Sequence, residues 1–345
     1  MSQQTGPVTR LRPILLALTL ILLSAAGLDT AHAQPGQVTR IRLGNPADVQ
    51  PALTGPSFLL QGDGTPMATA FQAHIDQVAA APLDIVVLAA TRPGSGSPTP
   101  ECDVLIARNN VNSCETVTIP LPVRADDPGA TEAVSKAEIV YFAGGNQCEY
   151  VRWRGSTVHA AVQSVVNAGG GVGGGSAGLA IQGDVIYDGC TGSVPSQRAL
   201  RNPYAFRIHF ADALFNGPHL DRIITDSHFV ARDRMGRLMS FVARQIQDGK
   251  SGAFYGLGID DDSALVIDQN GLGTLYGSTA YVVLGDHAPE QCAPRQPLTF
   301  TDFKIWRIAA GGTYDFANRP TTGYYLRSVT NGDIDANPYS RIPTP

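Results

Sequence analysis

The sequence predicts an α/β fold, a three-layer sandwich on a mostly parallel sheet, and three observations carry that expectation. Short apolar runs alternate with amphipathic stretches of helical period along most of the chain. The run "LDIVVLAA" (83–90) is apolar without interruption, as suits a strand covered on both faces of a parallel sheet. The 345 residues are 43% hydrophobic and 16% charged, which is enough to bury a sizeable core.

Arg10 and Arg12 precede the apolar stretch 13–23, and "AHA" (31–33) fits a small-x-small cleavage rule. Residues 1–33 are therefore expected to be a secretory signal peptide cut before Gln34. The apolar stretch is short for a span of about 20 residues. Residues 34–56 read as a polar lead-in, and 57–345 as a single α/β domain.

Within it, "SFLLQ" (57–61) reads as a short buried strand and 68–80 as a helix. The loop-like 91–101 opens a cysteine-bearing segment, expected to be an insertion ending near residue 122. "AEIVYFAGG" (137–145) is a strand ending in glycines, and 156–168 an amphipathic helix with Ser156 as N-cap. After the glycine-rich stretch 170–181 come a strand at 220–226 and a helix at 232–246. In that helix Met235, Leu238, Met239, Val242 and Ile246 share one face. Strands at 252–260 and 264–268 and a β-rich tail containing "AYVVLG" and "FKIWRIA" complete the chain.

Charge and cysteine content narrow the function. Removing Arg10, Arg12 and Asp29 with the leader takes the net charge from -5 to about -6, and no basic stripe appears. A nucleic-acid partner is not expected, nor a membrane after cleavage; a homodimer is compatible with the sequence. There is no CxxC and the seven histidines lack ligand spacing, so no metal is expected. In an exported chain the five cysteines point to disulfides, first Cys102–Cys114, then Cys148–Cys190, with Cys292 left over.

Gly174-Gly175-Ser176-Ala177-Gly178 satisfies G-x-S-x-G, a turn that can hold a nucleophile on a strained backbone. A helix starting at the serine would favour negative charge there. Gly173, Gly175 and Gly178 also fit G-x-G-x-x-G, so a phosphate loop and a flexible glycine run remain alternatives. A serine needs a base and a group that orients it. His228 lies just beyond an apolar strand, with Asp226 before it and Arg232, Arg234 and Arg237 after it. Arginines opening a helix oppose its dipole, which suggests a grip on a carboxylate. The orienting acid is left open among Asp226, Asp260 and Asp261. The run 260–262 lacks the spacing of a calcium loop.

Four segments in order, "FAGGNQ" (142–147), "GGGSAGL" (173–179), "DSHFVARDRMGRL" (226–238) and "GLGIDDDSAL" (256–265), resemble the cyanophycinases and, more distantly, aspartyl dipeptidase E. The resemblance spans about residues 57–283. It implies a class I glutamine amidotransferase-like (flavodoxin-like) sandwich and a serine exopeptidase that needs no cofactor. Ser176 is then the nucleophile, His228 the base and Asp261 the acid, with the N–H groups of Gly145 and Ala177 as oxyanion donors. Gln147, Asp226, Arg232, Arg234 and Arg237 match substrate-lining positions. The implied substrate is cyanophycin, cut to β-Asp-Arg dipeptides outside the cytoplasm, in the periplasm or beyond.

The sequence departs from the family pattern in three places. Gly175 stands for a threonine, expected to loosen the turn, and Ser227 for a glutamine. Asp261 stands for a glutamate, and its shorter side chain is expected to reach His228 only through a backbone shift or a water. Other β-aspartyl or short acidic peptides, a non-catalytic peptide-binding role and nucleotide binding are the alternatives.

Overall fold

The computed structural model describes residues 36–340 apart from 92, 93 and 95, together with 1–4 and 6. Apart from residues 1–4 and 6, the expected leader and its cleavage site lie outside the described residues. Among the described residues no helix is long and apolar enough to cross a membrane.

The first part of the chain forms β1 (Thr39–Gly44), β2 (Ser57–Gln61), α1 (Ala68–Val78), β3 (Leu83–Ala89), α2 (Pro100–Leu105) and β4 (Val111–Thr118). Next come α3 (Pro128–Ser135), β5 (Ile139–Phe142), α4 (Gln147–Val151), α5 (Thr157–Asn167), β6 (Gly171–Gly175) and α6 (Ala177–Ala180). Then follow β7 (Val185–Tyr187), α7 (Ser196–Arg201), β8 (Phe210–Asp212), β9 (Ile223–Asp226), α8 (Met235–Gln247) and β10 (Phe254–Ile259). The tail is β11 (Ser263–Ile267), β12 (Leu272–Gly277), β13 (Thr279–Gly285), β14 (Phe300–Ala309), β15 (Thr313–Asp315), β16 (Tyr325–Thr330) and β17 (Asp333–Ile334).

Two mixed sheets result. The first runs β1-β4-β3-β5-β6-β2-β11-β12-β15, with a parallel centre from β4 to β2 and antiparallel strands outside it. The second runs β17-β16-β14-β13-β10-β9-β7-β8, parallel only across β7, β9 and β10. Every residue of β3 is buried, because alternate side chains face opposite apolar layers. Ile85 and Val87 pack with Phe71 and Ile75 of α1. Val86 and Leu88 face Val158 and Val162 of α5, in a layer shared with Leu257, Ile259 and Val282 of the second sheet. Each such side chain contributes about 1.5–3 kcal/mol by leaving water. The far face of the second sheet rests on the apolar stripe of α8, where Met235, Leu238, Met239 and Val242 are buried. The molecule is thus an α/β sandwich of the flavodoxin-like type, with a second sheet beside α5 in one outer layer.

Two stretches differ from expectation. The polar lead-in holds β1, an antiparallel edge strand on β4. Its alternating arginines hide the strand in the sequence. Arg40 and Arg42 share one face and both pair with Glu115, at 2.5 and 2.8 Å. The expected insertion, 91–122, contains α2 and β4, and β4 lies between β1 and β3 in the sheet. Its polar residues conceal a buried strand because several find distant partners: the Ser113 hydroxyl donates to Asp84 at 2.6 Å, and Glu115 accepts from Arg40 and Arg42. Cys102 and Cys114 are disulfide-bonded across α2 and β4.

Candidate active site

β6 reads Gly-Val-Gly-Gly-Gly and delivers the chain to Ser176, whose φ of 52° and ψ of -106° no residue with a Cβ adopts without support. Gly175 is required by close approach. A Cβ there would lie 2.2 Å from the Asp63 carbonyl oxygen and 2.9 Å from the Tyr141 hydroxyl. The missing threonine therefore tightens the turn against the β2–α1 loop, contrary to the expected loosening. Gly175→Thr, which restores the family's residue, should destabilise the protein by about 1–3 kcal/mol through overpacking. An unchanged urea midpoint would show that the loop gives way. The helix after the serine differs too: α6 has only four residues, so charge at Ser176 would depend on individual N–H groups rather than on a helix dipole.

His228 and the acids come from the second sheet. β9 ends at Asp226 and β10 at Ile259, so both segments leave the carboxyl ends of neighbouring parallel strands. Ser176 Oγ lies 2.7 Å from His228 Nε2, and His228 Nδ1 lies 2.5 Å from Asp261 Oδ1. The shorter carboxylate therefore reaches the ring directly, without the intervening water its length suggested. Asp260 faces elsewhere, accepting from the N–H groups of Val230 and Ala231 at 2.9 and 3.0 Å. Burial lowers the His228 pKa below its ordinary value of 6.5. The Asp261 bond opposes that shift, while Arg232 and Arg234 add to it.

A cavity of about 330 Å³ opens over Ser176, and Gly145, Gln147, Ala177, Asp226, His228, Arg232, Arg234 and Arg237 all line it. The three arginines differ in what is left of them. Arg237 is 3% exposed and holds Asp226 through Nε at 2.6 Å and Nη2 at 2.5 Å. Its Nη1 donates to the Ser193 hydroxyl and the Val194 carbonyl. Arg234 Nη1 reaches Asp226 at 3.2 Å and the Ser227 carbonyl at 2.8 Å. Arg232 is exposed and makes no ion pair among the described residues. Nor do Arg232 and Arg234 open the helix, because α8 starts only at Met235, so the dipole argument loses its basis.

The second disulfide, Cys148–Cys190, joins the residue after Gln147 to the residue after Gly189, two segments that both line the cavity. Cys292 is free and buried. Sequence reasoning missed the β2–α1 loop, "QGDG" (61–64), whose glycines signal only a turn. It also missed the Gly189–Ser193 wall, which carries no chemistry of its own.

The chain shares its fold with a solved peptidase. The crystal structure of a peptidase from an acI-B1 actinobacterium superposes with a TM-score of 0.51 at 13% identity, over 77% of this chain and 98% of that one. A Listeria monocytogenes EGD-e protein provisionally assigned to peptidase E gives 0.42 at 13% identity, over 65% and 98%. At such identities the likeness is one of fold. No family model matches the sequence, and no curated protein does.

Proposed function

We propose that this chain is an exported serine-type peptidase acting on aspartyl-containing polymers or peptides, with cyanophycin as the leading substrate. One observation carries the reading: Ser176 and His228 line a cavity that arginines also line, and a continuous hydrogen-bonded line runs from Ser176 through His228 to Asp261 behind it. The Ser176 hydroxyl donates to neutral Nε2, while Nδ1–H donates to Asp261 and fixes the tautomer. Attack on a main-chain carbonyl moves the serine proton to Nε2, and the imidazolium returns it to the leaving amine. Water then hydrolyses the acyl-enzyme by the same relay. The N–H groups of Gly145 and Ala177 would receive the developing oxyanion. The two disulfides support a life outside the cytoplasm.

A specific observation favours the second substrate reading, short acidic or β-aspartyl peptides. Asp226 is the one carboxylate lining the described cavity, and Arg237 and Arg234 already occupy it. An arginine side chain of β-Asp-Arg would therefore find no free carboxylate inside, whereas a substrate carboxylate would find Arg232.

The deciding experiment compares release of β-Asp-Arg from cyanophycin with cleavage of plain aspartyl peptides, each beside Ser176→Ala. Cleavage of either substrate by the wild type alone supports the peptidase. Tight binding without turnover of either would replace it with a binding protein. The pH profile carries its own expectation. The base works when neutral, and its pKa is lowered, so the acid limb of kcat/KM should fall below pH 6.5. A limb above that value would show that the Asp261 bond outweighs burial at His228.

A further inference from the structure

Ser176 follows a strand of the first sheet and His228 a strand of the second, with Asp261 on the β10–β11 turn that joins the two, so the serine and the histidine must be fixed against each other at the site. We propose that the β2–α1 loop, through the backbone carbonyls of Gln61 and Gly62, is the positioning element that sets Ser176 against His228. The inference rests on the peptidase reading above.

Four contacts converge on this short turn. The Ser176 N–H donates to the Gln61 carbonyl at 3.0 Å, and the His228 N–H donates to the Gly62 carbonyl at 3.0 Å. The Gly62 N–H donates in turn to the Ser263 carbonyl at 2.9 Å, just past Asp261. The next carbonyl, that of Asp63, abuts Gly175. Consecutive residues of one loop thus hold the serine turn, the histidine turn and the acid turn.

The held residues are those that need holding. Ser176 has φ 52° and His228 φ 47°, both in the left-handed region that side chains disfavour. Such backbones persist where their surroundings over-determine them. The loop is itself pinned by Gln61, whose Nε2 donates to Asp63 Oδ1 at 2.7 Å and to the Thr65 carbonyl, and whose Oε1 accepts from the Met67 N–H at 2.8 Å. Gly62 leaves no space: a Cβ there would lie 1.8 Å from the Asp260 carbonyl oxygen. Gly64, on the same loop, has only the Gly144 Cα near its Cβ position, at 3.8 Å.

That contrast supplies the test. A methyl group at Gly62 pushes on the Asp260–Asp261 turn, whereas one at Gly64 meets ordinary contact. The mature protein is titrated with a fluorophosphonate probe, which reads serine activation without a known substrate. Wild type, Ser176→Ala, Gly62→Ala and Gly64→Ala are compared across pH. Gly62→Ala should label about 100-fold more slowly, the cost of a displacement near 1 Å, while Gly64→Ala stays within about twofold.

The acid limb should move as well. The charged groups facing the imidazole are Asp261 from the β10–β11 turn and Arg232 and Arg234 from the segment before α8. Pulling Asp261 away removes the one that favours the protonated ring, so the limb in Gly62→Ala shifts to lower pH. A loop that only added stability would slow labelling without moving the limb. Should Gly62→Ala fail to fold, Gln61→Met removes the pinning bonds without overlap and should slow labelling in the same direction.

Wild-type rates in Gly62→Ala, or in Gln61→Met where it is the variant that folds, would overturn the inference. Equal slowing by Gly64→Ala would overturn it too. Labelling of wild type and Ser176→Ala alike would overturn the peptidase reading first, and the inference with it.

Discussion

Asp261→Asn should lower kcat by about 10⁴-fold, because an amide at that position stabilises the wrong histidine tautomer and cannot support the imidazolium. Asp261 Oδ1 is the acceptor at 2.5 Å from His228 Nδ1, and the side chain is only 40% exposed. Asp260→Asn provides the contrast. Asp260 accepts two backbone N–H groups beyond the histidine, and an asparagine oxygen can still accept them. Its kcat should stay within about tenfold of wild type. Steady-state kinetics on the three proteins separates the roles, and equal losses from both substitutions would mean that the acid is shared.

The second large effect is on stability. Asp226→Asn leaves Arg237 buried without its counter-charge and should cost about 3–5 kcal/mol of unfolding free energy. Arg237 and Asp226 are each 3% exposed, and the guanidinium grips the carboxylate through two nitrogens. Urea unfolding of Asp226→Asn and Arg232→Ala makes the comparison. Arg232 is exposed, so its loss should shift stability by no more than about 0.5 kcal/mol. Similar midpoints for both variants would show that Arg237 finds another partner. The expected outcome separates the arginines, since Arg237 holds the cavity wall and Arg232 makes no ion pair among the described residues.

Much of this protein could be read along the chain because it is local. The boundaries of β2 agree with the run 57–61, and Ser156 caps α5 by accepting from the His159 N–H at 3.2 Å. Periodicity, capping and uninterrupted apolar runs are properties of neighbours in sequence. Such signals failed where burial depends on a distant partner. β1 and β4 look polar because Arg40, Arg42 and Glu115 satisfy one another across strands, which no window of sequence displays.

The candidate site divides in the same way. The sequence alone determined a serine in a glycine-rich strand-to-helix turn, a histidine beyond a strand and three aspartates near another strand end. It determined these because residue type and spacing are written in the chain. Which aspartate meets the histidine, which arginine is already occupied, and why Gly175 and Gly62 must be glycine were decided only by tertiary structure. The physical reason is that each depends on distances between separate segments of the chain, and those distances exist only after the strands, helices and loops have packed.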